Sequence, residues 1–104
     1  MSSIVIIESP FSGDRGKNTK YALKAMRDCF NRGEVPFASH LLYTQVLDDT
    51  IPEEREMGIE AGLVIAKRAD KTVVYTDLGI SPGMQQGIDR AISENRPVEY
   101  RSLA

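Results

Sequence analysis

The apolar residues of the chain recur with two different periods. Ile4-Val5-Ile6-Ile7 is an unbroken β-branched run closed by Ser9-Pro10, the pattern of a strand covered on both faces. From Lys17 to Arg32 the spacing changes. Ala22, Ala25, Met26, Cys29 and Phe30 fall at i, i+3, i+4, i+7 and i+8, which predicts an amphipathic helix ended by Gly33. Val35-Pro36-Phe37-Ala38 predicts a short strand near a sheet edge, because its proline cannot donate to a ladder. The following stretch, SHLLYTQVLDDTIP, is expected to be a long loop.

Pro52 opens a second helix with an acid-rich first turn, Glu53-Glu54-Arg55-Glu56, as the helix dipole favours. Its stripe of Ile59, Gly62, Leu63 and Ala66, beside Ala61, Val64 and Ile65, is expected to be buried over a wide face. Thr72 to Thr76 predicts a third strand, Pro82 to about Glu94 a third helix, and Pro97 to Tyr100 a fourth strand. Strands separated by helices run parallel through right-handed crossovers. The expected class is therefore α/β: a small doubly wound parallel sheet, flavodoxin- or Rossmann-like, with four or five strands and flanking helices. At 104 residues it forms one domain, residues 1–104. Ligands of such sheets bind beyond the carboxyl ends of the strands. Those ends are Glu8 to Asp14, Ser39 to Tyr43 and Asp77 to Gly83.

Composition narrows the partners. A hydrophobic fraction of 41% and a charged fraction of 27% belong to an ordinary globular protein. The net charge of −2 offers no basic footprint for duplex nucleic acid, while a small nucleotide held by a few donors remains open. One cysteine, Cys29, allows no internal disulfide, and a reducing cytoplasm is expected. It lies in the helix stripe without an evident basic neighbour, so it reads as a small buried hydrophobe. SSIVIIESP lacks a basic n-region, and no apolar run is long enough for a bilayer. No membrane partner is expected.

The chemistry concentrates at the predicted strand ends. Ser81 suits an N-cap, Pro82 the first helical position, and Gly83 leaves the next amides open, so this helix start is expected to offer N–H groups and a hydroxyl to an anion such as phosphate. The alternative is that Ser-Pro only starts a helix. Glu8, following IVII, either faces the cleft or pairs with Arg15, Lys17 or backbone amides. Asp77 either touches ligand or closes a turn with Gly79. In SPFSGDRGKN, Ser9, Ser12, Gly13 and Arg15 are candidate donors to phosphate or ribose. The lone His40 is a base-contacting or acid/base residue, or a hydrogen-bonded structural histidine. Tyr43 either stacks on a base or packs. In DDTIPEERE the acids read as a solvated helix start rather than a metal site, and Arg55 is expected to pair with Asp48 or Asp49. No cofactor is expected.

The ordered set SPFSG, PFASHL, DD with PEERE, AD, and SPGMQQGIDRAISENRPV resembles the nucleoside 2-deoxyribosyltransferase-like family, in particular its small phage and bacterial branch. The resemblance covers nearly the whole chain. It implies a site for a nucleoside or nucleoside 5'-monophosphate that draws on Ser9, Phe11, Ser12, Gly13, Arg15, His40, Asp77, Ser81, Gly83, Met84 and Gly87. In the glycosidase branch a serine holds the 5'-phosphate, and six residues later a glutamate attacks the anomeric carbon. Those positions are Ser81 and Gly87 here. Glycine supplies neither nucleophile nor acid. Two readings follow from the departure. Binding is kept and catalysis lost, as in phage anti-defence proteins that sequester an immune signalling nucleotide; or the carboxylate has moved, with Glu8 the candidate for N-glycosidase or deoxyribosyl transfer. The family also implies a homodimer or higher homo-oligomer, burying Met57, Ile59 or Met84 against a neighbour.

Overall fold

A computed structural model of the protein describes residues 3–104. In chain order its elements are β1 (Ile4–Glu8), α1 (Arg15–Asn31), β2 (Val35–Phe37), α2 (Ser39–Leu42), a 3-10 turn (Tyr43–Gln45), α3 (Pro52–Ala66), β3 (Lys71–Tyr75), α4 (Pro82–Ser93) and β4 (Val98–Arg101). The strands form one parallel sheet in the order β2-β1-β3-β4. The chain steps outward from β1 to β2 and then returns past β1 to β3. The switch point therefore lies between β1 and β3, at the carboxyl end of the sheet.

Right-handed crossovers put α1 on one face and α3 with α4 on the other. Alternation along the strands sorts the side chains between the two layers. Val5, Ile7, Val73 and Tyr75 pack with Tyr21, Ala25 and Cys29 of α1. Val74 packs with Met84 and Ile88 of α4. By the same alternation Ile6 and Glu8 point to the α3/α4 side.

The α1 face also carries a charged cluster against the last turns of the helix. Arg101 is buried and forks onto Glu34, Nη1 donating at 2.8 Å and Nη2 at 2.7 Å. Lys71 Nζ lies 3.0 Å from both Glu34 and Glu99. Tyr75 donates to Asp28 at 2.7 Å. Arg101 Nη1 also stands 3.6 Å from Cys29 Sγ, so the thiol does have a basic neighbour. Burial nevertheless dominates and pushes the thiol pKa up.

Several boundaries and burials differ from the sequence expectation. Helix α1 starts at Arg15, because Asp14 caps it by accepting from the Lys17 amide at 3.1 Å. Phe30 is exposed at the last turn of that helix. The expected loop after β2 contains α2 and the 3-10 turn, held by Thr44 and Gln45 side chains donating to the carbonyls of His40 and Leu41. Met84 is inside the core and unavailable to a neighbouring subunit, whereas Met57 is exposed. Helix α3 buries only Ala66. Its inner stripe meets open space instead of the sheet, and that space is the cleft described next. No described helix is long and apolar enough to cross a membrane.

Candidate functional site

A cleft of about 430 Å³ opens at the carboxyl ends of β1 and β2 and runs inward between α3, α4 and the sheet. Its volume falls in the range of small-molecule sites. Glu8, Ser9, Phe11, Ser12, Arg15, His40, Ser81, Gly83, Met84 and Gly87 all line it. Tyr43, Glu54 and Arg55 line it as well, as do Gly58, Ile59, Gly62 and Leu63 of the α3 stripe.

Two predicted residues are not among the lining. Gly13 sits at φ 95° in the turn before α1. Asp77 accepts from the Tyr21 hydroxyl, the Ser102 hydroxyl and the Leu103 amide, tying the C-terminal segment to α1. Those donors hold its carboxyl well below the usual range. The turn at Gly79 is closed by Thr76, whose carbonyl accepts from the Gly79 amide at 2.9 Å.

The inner end of the cleft is built around Glu8 and Gly87. A Cβ placed on Gly87 would stand 2.0 Å from Glu8 Oε2 and 2.5 Å from its Cδ. The carboxyl group of β1 therefore occupies the volume into which a side chain at position 87 would project. The Glu8 carboxyl can take this position only because residue 87 ends at hydrogen. No hydrogen bond of the described residues engages the Glu8 carboxyl. Burial pushes its pKa from 4.5 up to about 8, and Arg96 offsets this only in part. Glu8 is thus mainly a neutral carboxylic acid at pH 7. It pairs with neither Arg15 nor Lys17.

One wall is a chain of contacts across two loops. Ser9 Oγ and His40 Nε2 share a hydrogen bond at 3.1 Å. Burial lowers the His40 pKa to about 4, so the ring is neutral. Phe11 lies 5.7 Å from the His40 ring, and the Arg15 guanidinium covers Phe11 at 4.8 Å. Arg15 then pairs with Asp49, which ties the β1–α1 loop to the segment before α3. Arg55 does not take the expected partner: Asp48 instead accepts from the amide and hydroxyl of Thr50.

The start of α4 is more self-satisfied than its sequence implied. The Met84 amide donates to Ser81 Oγ at 3.3 Å, and the Ser81 amide donates to Met84 Sδ at 3.4 Å. Among these first residues the Gly83 N–H and the Ser81 hydroxyl proton are what remain for a ligand.

Sequence reasoning missed two contributors. Asn18 is buried and its Nδ2 donates to the carbonyls of Phe11 at 3.1 Å and Ser12 at 2.9 Å, fixing the loop that carries both. Its signal was available: Asn18 continues the Ala22, Ala25, Cys29 stripe as a polar residue on an apolar face. Arg96 also lines the cleft and is only 8% exposed. Nothing in its local sequence marks it, since its burial comes from α4 returning to β4 beside Thr72.

Comparison with solved structures finds the same fold in two enzymes. The 2-deoxyribosyltransferase of Bacillus psychrosaccharolyticus matches 96% of this chain and 72% of its own, at 20% identity and a TM-score of 0.78. The CMP N-glycosidase BcmB of Clostridium botulinum matches 95% of this chain and 71% of its own, at 11% identity and a TM-score of 0.57. The protein thus has a nucleoside 2-deoxyribosyltransferase-like fold. No curated protein matches the sequence. A family model matches residues 3–101, and the chain belongs to that family, the domain of unknown function DUF7768.

Proposed function

We propose that the cleft binds a nucleoside or nucleoside 5'-monophosphate and retains it without turnover. The observation that carries this reading is Glu8 against Gly87: the carboxyl is half-buried in the cleft wall, makes no hydrogen bond among the described residues, and is mainly protonated at neutral pH. A protonated carboxyl donates a hydrogen bond and adds no negative charge opposite an anionic ligand. It is also a poor nucleophile, because attack on an anomeric carbon needs the ionised form. Support comes from the cleft's volume and from the two enzymes that share the fold, one a 2-deoxyribosyltransferase and the other acting on CMP. Retention without turnover is the behaviour required to sequester a nucleotide-derived signal.

A second reading rests on the same two residues. Glu8 fills the space of the missing side chain at 87, and a carboxyl with a pKa near 8 suits general-acid protonation of a departing base. One experiment decides between the two. The protein is incubated with a panel of nucleoside monophosphates and cyclic nucleotides, separated from free ligand, denatured, and assayed for intact ligand and free base. Intact ligand near one equivalent is expected. Free base accumulating over many turnovers in the separated free-ligand fraction supports the N-glycosidase reading, and no retained ligand together with no free base overturns both.

A further inference from the structure

The cleft does not stop at the carboxyl ends of the strands. Its lining continues along the sheet past Ile6 and Leu63 to Ala66, the last residue of α3, and to Arg96, which precedes β4. These last two mark the opposite edge of the sheet. Arg96 is buried, donates Nε to Thr72 Oγ1 at 3.1 Å and Nη1 to Glu94 at 2.8 Å, and has no hydrogen bond from Nη2 among the described residues. Glu8 feels the Arg96 charge and likewise has no hydrogen-bond partner. A buried guanidinium and a half-buried carboxyl, each with hydrogen-bonding capacity left toward the cleft, thus share one otherwise apolar chamber. Every fully buried side-chain nitrogen or oxygen among the described residues is paired, so the unpaired atoms of Glu8 and Arg96 are those that face the cleft, where a ligand edge can meet them.

We infer that this inner chamber takes the heterocyclic base of the ligand and selects bases whose inward edge carries a carbonyl oxygen, with Arg96 as the specificity-determining residue. The inference rests on the nucleotide-binding reading above. The apolar walls of Ile6, Leu63, Ala66 and Met84 suit a flat ring, and its polar edge must answer what lies at the end. The guanidinium has donors only, and Glu8 in its neutral form adds an O–H. A uracil, thymine or hypoxanthine edge accepts from these groups. The exocyclic amino group of cytosine or adenine, turned toward Arg96, sets donor against donor in a water-poor space and leaves both unpaired, which weakens binding by about tenfold or more.

The test is equilibrium dialysis at pH 6.5 with UMP against CMP and IMP against AMP. The expected result is at least about tenfold tighter binding of UMP and IMP, with both ratios collapsing toward one in Arg96→Gln. Because Arg96 also holds Thr72 and Glu94, the unsubstituted protein supplies a second measurement. Other charged groups lie along the same cleft: the Arg15–Asp49 pair on the loops, and Glu54 with Arg55 in the first turn of α3. His40 stays neutral above about pH 4. Raising the pH from 6.5 to about 8, below the range in which the ring N–H of the oxo bases ionises, converts about half of Glu8 to the carboxylate and weakens its donor, so the oxo-base preference shrinks in the native protein and stays constant in Glu8→Gln. Equal binding of the paired ligands, a preference for CMP or AMP, or a ratio unchanged in folded Arg96→Gln overturns the inference while leaving the binding site intact. Binding of no nucleotide overturns the functional reading beneath it.

Discussion

The two faces of the sheet bury charge in opposite ways. On the α1 face, Arg101, Glu34, Lys71, Glu99, Tyr75 and Asp28 satisfy one another in a closed set of hydrogen bonds. On the α3/α4 face, Arg96 is buried and Glu8 half-buried, and both line the cleft with hydrogen-bonding capacity left over. Both groups of residues are invisible to hydropathy, and both cost desolvation. The difference is where that cost is offset. In the first it is offset within the fold, so those residues hold the structure; in the second, part of the hydrogen-bonding capacity faces the cleft, which is the feature on which the binding proposal rests.

The contrast can be broken most forcefully at Arg101. Arg101→Ala strips Glu34 of a bidentate partner and leaves a buried carboxylate beside Lys71 alone, so about 3–5 kcal/mol of stability should be lost in urea unfolding. Glu34 is held at about 2 by Arg101 first, so the pair's contribution is present above the ordinary carboxylate pKa of 4.5 and disappears as pH falls through about 2. A loss below about 1 kcal/mol would show that the closed network is only decorative.

Glu8→Gln probes the open face and should act with the opposite sign. The folded pKa of Glu8 is raised, so the folded state binds the proton more tightly and stability declines as pH climbs from about 4.5 to about 8. The amide cannot ionise but carries its own burial cost, so the variant should gain about 2 kcal/mol at pH 9 and little at pH 5. Thermal melts at the two pH values measure this directly. An equal effect at both would mean that Glu8 is ionised throughout.

The smallest expected effect is at Gly87. The atoms a new Cβ would meet belong to the end of the flexible Glu8 side chain, which can swing aside, and alanine improves helix propensity by about 1 kcal/mol. Gly87→Ala should therefore change stability by no more than about 1 kcal/mol while displacing the Glu8 carboxyl. In the Glu8→Ala background the same substitution should turn stabilising, and additivity of the two changes would show that the residues do not meet.

The periodicities carried the framework of the fold, since strands and helices announce themselves through local spacing. They read α3 less well. Its stripe of Ile59, Gly62, Leu63 and Ala66 is apolar for the sake of a cavity wall, and the same spacing serves a core. Much of the cleft was legible because Glu8, Ser9, His40 and Ser81 stand at strand ends, where topology alone assigns importance. The meeting of Glu8 with Gly87, the cap that consumes the Ser81 and Met84 amides, and the burial of Arg96 join residues far apart in sequence or depend on the exact approach of a helix. Those are properties of packing distance, which spacing along a chain does not encode.

The sparse burial of α3 has a consequence for motion. A helix with one buried residue, beside a cavity, has little apolar contact to resist opening, and its amides are expected to exchange more readily than those of α1 and α4. An occupant of the cleft would supply further contact for Ile59, Gly62 and Leu63. The protein then works as a fold with part of its interior left vacant, completed by whatever it binds, and ligand affinity and the local opening free energy of α3 become two measures of one equilibrium.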